Sequence, residues 1–325
     1  MNFSRARLSL RTAAASRIGL RPVLTILCGA AFLYGCAREP QGFASPEEAV
    51  KALTDAVRSD STERLTAILG SEGKPILSSG DDVADRNGRR EFLALFDQKH
   101  SLADDDADGK TLIVGNSDWP FPIPIVKDGQ KWVFDTAEGR EEILDRRIGK
   151  NELSTIQVCR AIGDAEHDYA LLDPNGDGVH EYAQRFASEP GKHNGLYWPT
   201  AEGEALSPLG ELVAAASQEG YVLGEGGPTP YHGYYYRLLT AQGPHAAGGE
   251  LDYITKGRMV VGFAVMAYPA EYDNSGVMTF IMGADGVVYQ KDLGKETAKL
   301  VAAMKAFDPG EGWTKADEPS RTQRP

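Results

Sequence analysis

The sequence predicts an α+β fold in two parts: N-terminal helices with a small antiparallel, cone-like sheet, then one long helix packed on a second antiparallel sheet. Three observations carry this. Residues 151–172 place Val158, Cys159, Ala161, Ile162, Ala165, Tyr169 and Leu172 on one side of a helix, with Gln157, Arg160, Asp164, His167 and Asp168 on the other. Strongly β-type runs between residues 234 and 290 are the cover that such an apolar face needs. Helical periodicity in residues 45–99 gives way to short strand-like runs between 111 and 134.

Residues 1–36 read as an export signal: basic to Arg21, apolar from Val23 to Tyr34, then Leu33-Tyr34-Gly35-Cys36. That ending resembles a bacterial lipobox, which implies cleavage before Cys36 and lipidation of it, so that the chain is held at a membrane by a lipid anchor; the competing readings are an ordinary cleaved signal and a single-pass anchor, for which the apolar run is short. Ala37 in the next position, where Asp would mark retention, implies an outer-membrane lipoprotein facing the periplasm. The five arginines leave with residues 1–35, and 29 basic against 47 acidic side chains remain, a balance of −18. Such a surface argues against nucleic acid as a partner. With Cys28 removed and Cys36 lipidated, Cys159 is the last thiol and a disulfide framework is excluded.

A polar tether covers residues 37–44. Ser45-Pro46-Glu47-Glu48 then opens a helix, with Ser45 as N-cap, Pro46 in the first turn and Glu48 closing a capping box. Further helices are predicted at 62–69 and 88–99, and strands at 111–114, 123–126 and 131–134, the last two joined by Lys127-Asp128-Gly129-Gln130. Prolines 120, 122 and 124 suit an edge strand or an extended approach. Charged residues 138–147 read as a connecting helix, which puts the N-terminal domain at 45–148 and the helix-on-sheet domain at 149–308. A short helix at 208–220 follows, then strands at 234–240, 260–267, 277–282 and 287–290. A last helix at 295–307 leads to a frayed polar tail at 309–325.

The loop Asp173-Pro174-Asn175-Gly176-Asp177-Gly178 matches the first half of an EF-hand-type calcium site, with Glu181 in place of a missing twelfth-position carboxylate, since Gln184 stands there. Calcium is therefore a candidate ligand of Asp173, Asn175, Asp177 and Glu181; the competing reading is a helix stop rich in turn residues. Trp198, Tyr231, His232, Tyr234, Tyr235 and Tyr236, flanked by proline and glycine, form the candidate binding set, against the alternative that alternate tyrosines fill a core. Cys159 and His167 are eight residues apart on a helix, roughly 12 Å, too far for a nucleophile and its base. His232 and His245 flank one strand but lack further metal ligands nearby in sequence. Asp104-Asp105-Asp106 reads as solvated loop, and neither a serine-hydrolase elbow nor a zinc-protease motif occurs.

Ser45-Pro46-Glu47-Glu48-Ala49-Val50, residues 118–124 (DWPFPIP), 195–199 (GLYWP) and 233–243 (GYYYRLLTAQG) together resemble a bacterial exported family catalogued as domain of unknown function 2950. The resemblance implies export and no known chemistry. Helices before a small sheet that closes at residues 129–135 are similar to the cone-shaped nuclear-transport-factor-2-like domains. Residues 151–156, the long helix, the Asp-rich loop and the 276–290 hairpin resemble the soluble head of a type IV pilin or pseudopilin, without the apolar helix that builds a filament. The resulting expectation is a non-enzymatic, lipid-anchored envelope protein that binds an envelope protein or a cell-wall component, with a periplasmic hydrolase as the alternative.

Overall fold

The computed structural model describes residues 39–105, 109–222 and 228–316; the expected signal, Cys36 and Asp106 lie outside the described residues. The chain is α+β. Helices α1 (Pro46–Arg58), α2 (Thr62–Leu69), α3 (Lys74–Leu77) and α4 (Asp82–Gln98) lead into β1 (His100–Asp104), β2 (Lys110–Val114), β3 (Trp119–Pro120), β4 (Ile125–Asp128) and β5 (Lys131–Phe134). Ser45 Oγ accepts from Glu48 N, as the sequence requires, while the Glu48 carboxylate reaches back one residue further, to Ala44 N. Ala49, Val50, Leu53, Ala56 and Val57 are all buried. Helix α4 begins six residues earlier than predicted because Asp81 caps it, accepting from Ala84 N.

The first sheet is antiparallel in the order β1-β2-β4-β5, with β3 against β2. Strand β1 was unforeseen, and it takes in Asp104 of the acidic run. The tether docks at its end: Phe43 is buried and exchanges both backbone bonds with Trp132, which covers the outer edge of β5.

Helix α5 (Thr136–Leu172) is one element of 37 residues. The connecting helix and the long helix of the sequence reading are thus continuous, and the boundary expected at 148/149 falls inside it. No proline interrupts this stretch, and the Glu142–Arg146 ion pair lies one turn apart across its charged part. Its second half carries Val158, Cys159, Ile162, Ala165 and Tyr169 inward. Leu172, placed on that face by periodicity, is 55% exposed because the helix outruns the sheet. At Gly163 an added Cβ would lie 2.6 Å from Met282 Cε, so the methionine's terminal methyl occupies the space that the absent side chain leaves.

After α6 (Gly210–Glu219) come β6 (Tyr234–Leu239), the short pairs β7 (Ala241–Gln242) with β8 (Leu251–Asp252) and β9 (Ile254–Thr255) with β10 (Arg258–Met259), then β11 (Ala264–Pro269), β12 (Met278–Gly283) and β13 (Val288–Asp292). Helix α7 (Thr297–Ala303) and β14 (Thr314–Lys315) complete the described chain. The second sheet is antiparallel, β14-β13-β12-β11-β6, and α5 lies on β11 and β12. β11 is buried on both faces, as its unbroken apolar sequence requires. Part of the expected tail is sheet: β14 pairs with β13 and Ala316 is buried. Arg237 of β6 donates to the carbonyls of Val301 and Met304, satisfying the end of α7.

Two apolar clusters result. One joins α1 and α2 to the first sheet through Phe43, Leu53, Leu65, Ile125 and Phe134. The other joins α5 to the second sheet through Ile162, Phe263, Met266, Phe280 and Ile281.

Candidate functional site

Three segments far apart in sequence meet beside the first half of α5. Lys74, Pro75 and Ser78 come from α3 and its end, Arg140, Glu141, Leu144, Asp145 and Ile148 from α5, and residues 271–274 from the loop between β11 and β12. They enclose an open groove of about 550 Å³.

Its back wall is a hydrogen-bonded seam. Arg147 donates to Pro75 O at 2.7 Å, to Asn274 Oδ1 at 2.6 Å and to Ile76 O. Asn274 in turn donates to Ser78 O at 2.8 Å and to Glu271 Oε2 at 2.7 Å. Burial pulls the Arg147 guanidinium below its usual value and the Asp85 carboxyl above its own, with Asp85 and Glu271 restoring part of the arginine's charge preference. The loop is pinned from below by Asn151, which donates to Ser275 O, and by Glu152, whose Oε1 accepts from Val277 N and Met278 N. A wall held this way is set before any ligand arrives, which lowers the cost of binding.

The groove is lined by the carboxylates of Glu141, Asp145, Glu271 and Asp273 and the cations of Lys74 and Arg140. Arg140 is paired with Glu72 and Glu141, which hold its pKa up. Negative charge is in excess, so the chemistry that fits is a polar ligand carrying amino groups. The lining holds no serine, cysteine or histidine placed as a nucleophile with its base.

Behind the groove a second seam ties α4 to the later chain. Asp81, 1% exposed, caps α4 and also accepts from Tyr221 O–H and Gly233 N–H, both at 2.9 Å. Gly233 has φ +75° and its missing Cβ leaves room for Asn151 Nδ2, 2.4 Å from where that atom would be. His232, also left-handed at φ 52°, lies 3.7 Å from Glu219 Oε2, and Tyr231 O–H approaches Glu219 Oε1 at 3.4 Å. Burial lowers the His232 pKa against the pull of Glu219 and Asp81.

The aromatic set is dispersed. Ring contacts group Tyr231 and His232 with Tyr221, Tyr235 with Tyr268, and Trp198 with His193. Tyr234 is fully buried with its hydroxyl on Met278 O, and Tyr236 O–H points to Thr155 and Tyr231 O. Period 2 sends Tyr234 and Tyr236 toward α5 and Tyr235 to the other face, so the six residues do not share one surface.

In the Asp-rich loop, the cation in place is Arg258 of β10. Its Nη1 is 2.8 Å from Asp177 Oδ2 and its Nε 2.9 Å from Glu181 Oε2. Asn175 donates to Glu181 Oε1, Asp173 Oδ2 accepts from Gly178 N, and Gln184 donates to Gly257 O instead of facing the loop. Among the described residues no group of three His, Cys, Asp or Glu side chains is arranged to hold a metal. Arg258 escaped the sequence reading because it comes 77 residues after Glu181. His232 and His245 are apart in the same sense, each with its own carboxylate, Glu219 and Asp308. Cys159 is fully buried, its thiol pushed up to about 12, and His167 packs edge-on against Phe263.

A family model described as protein of unknown function (DUF2950) matches residues 40–316. The chain matches no curated protein and no solved structure.

Proposed function

From a chain that belongs to the family of proteins of unknown function DUF2950 over residues 40–316, we propose a binding protein of the bacterial envelope, anchored by lipid on Cys36 and facing the periplasm. Its ligand is an envelope protein or a cell-wall component that presents amino groups to the groove between α3, α5 and the β11–β12 loop. One observation carries this reading: the groove is open, predominantly acidic, and backed by a wall that Arg147 and Asn274 tie together with hydrogen bonds. The helix-on-sheet arrangement of α5 with β11 and β12 supports fold kinship with pilin heads, in a protein that does not build filaments.

The test is photo-crosslinking from Leu144, in the groove, in the full chain expressed in its bacterial envelope. Adducts at Leu144 that vanish with Asp145→Lys and Asp273→Lys, and that are absent from a probe at exposed Val261, are expected. The same adducts from both probe positions, or none from Leu144, would count against the groove. In the same cells Cys36→Ser releases the protein to the soluble fraction; unchanged membrane fractionation removes the anchor from the proposal.

Calcium enters the proposal as a competitor of Arg258 for Asp177 and Glu181. With the guanidinium present, calcium raises the melting temperature little. In Arg258→Ala the two carboxylates lose their cation, and millimolar calcium, in the roughly 10⁻⁴–10⁻³ M range of extracellular sites, raises it by several degrees. Coincident melting curves of that variant in calcium and in chelator would end this reading and leave the loop as a plain helix stop.

A further inference from the structure

The two ends of the first sheet differ. Phe43 covers the outer edge of β5, but among the described residues nothing pairs with the outer edge of β1. The parity of that edge follows from two bonds at its ends. Gly115 N donates to Lys99 O and Asp105 N donates to Gly109 O, so the odd-numbered residues between them bond to β2. His100, Leu102 and Asp104 therefore turn their backbone N–H and C=O groups away from the sheet, three donors and three acceptors in a row. Their side chains share one face, the one that carries Leu102 toward the groove between β1 and α1, about 470 Å³ with a floor of Val50, Phe96 and Leu112.

From this edge we infer that β1 pairs with β1 of a second copy of this chain, antiparallel about a two-fold axis through Leu102. The sequence His-Ser-Leu-Ala-Asp is complementary to itself in that arrangement. Leu102 faces Leu102, and each His100 faces Asp104 of the other copy. In this register the six outward N–H groups meet the six outward C=O groups, and no outward group of these residues is left over. A register moved by one residue would set the outward groups against residues that bond to β2. A register moved by two would bring His100 opposite Leu102. His100 is already oriented for the role: it stacks on Phe96 with ring centroids 3.8 Å apart, and its Nδ1 donates to Phe96 O at 3.0 Å, which leaves Nε2, a donor in the imidazolium form, for the carboxylate. Asp104 is paired on its own side with Lys110 and is otherwise exposed. The contact is isologous, so it closes at two copies and does not propagate.

Leu102→Cys in the full chain tests the axis directly, because residues facing each other as a hydrogen-bonded pair have Cα atoms about 5.5 Å apart, within disulfide range. Mild oxidation is expected to give a dimer on a non-reducing gel, with no dimer from the parent chain or from Lys127→Cys on the distant hairpin. Sedimentation in mild detergent then reads the charges. His100→Asp places like charges opposite one another twice, by symmetry, Asp104→Lys takes the carboxylate away from His100 twice, and each weakens the dimer about tenfold. The double variant His100→Asp with Asp104→Lys restores opposite signs and regains the dimer. A parent chain that sediments as a monomer at every concentration reached, or single variants that dimerise as well as the parent, would overturn the inference. So would a Leu102→Cys chain that stays uncrosslinked while melting like the parent.

Discussion

Ile162→Asp is expected to abolish cooperative folding of the protein. Ile162 is 2% exposed on the inner face of α5, within the cluster formed with Phe263, Met266 and Ile281. A carboxylate there would be buried without a partner, at a cost of several kcal/mol against a total stability of roughly 5–15 kcal/mol. Ile162→Val, which removes one methyl, should cost only about 1 kcal/mol and serves as the control for the site. Thermal melting followed by near-ultraviolet circular dichroism decides it: a wild-type transition in Ile162→Asp would mean that α5 turns a different face to the sheet.

Glu166→Gln is expected to make the protein more stable at neutral pH, which is unusual for a change in a core. Glu166 lies one turn beyond Ile162 on the buried arc and is fully buried. Its Oε2 accepts from Ala183 N at 2.8 Å, while Oε1 has no partner. Burial raises its pKa from 4.5 to about 8, only partly opposed by the Ala183 bond. In the unfolded chain the carboxyl ionises near 4.5, and in the folded protein it keeps its proton to about 8. Stability is therefore intact below the lower value and falls as the pH rises through this window, by about 3 kcal/mol at pH 7. Gln cannot ionise and still offers an oxygen to Ala183, so it removes the loss and flattens the pH dependence. Denaturant midpoints of the two proteins, measured across the window, should coincide at its acid end and separate toward its alkaline end. Parallel curves would show that Glu166 is solvated as an ion.

The elements that the sequence announces best are those whose signals are local. Ser45 and Pro46 mark the start of α1, and α2 falls where its apolar spacing puts it. The β12–β13 hairpin is legible from apolar runs on either side of Gly283-Ala284-Asp285-Gly286. What was missed depends on partners distant in sequence. β1 has a strand's backbone but a polar composition, because its outer edge and much of its surface are exposed. Glu166 sits at a position that periodicity marks as buried, and only its residue type hides it. Arg258 and Asp81 exert their effects through residues between 77 and 152 positions away, which no local pattern reports. The groove is likewise invisible to a linear reading, since its three walls come from three segments.

The second seam also bears on the order in which the chain is made. Asp81 is synthesised 140 residues before Tyr221 and 152 before Gly233, its two distant donors. Until they emerge, the only donor paired with its side chain in the finished fold that is already present is Ala84 N, from the first turn of the helix that it caps. The N-terminal cluster, complete in its buried residues by Phe134, thus has the residues for its apolar core long before its buried carboxylate has all its hydrogen-bond donors. A nascent or truncated chain that stops before Tyr221 would leave part of the Asp81 carboxylate in water, while α4 already packs on α1, β1 and β2. Tyr221 and Gly233, both ahead of β6, supply the two missing donors.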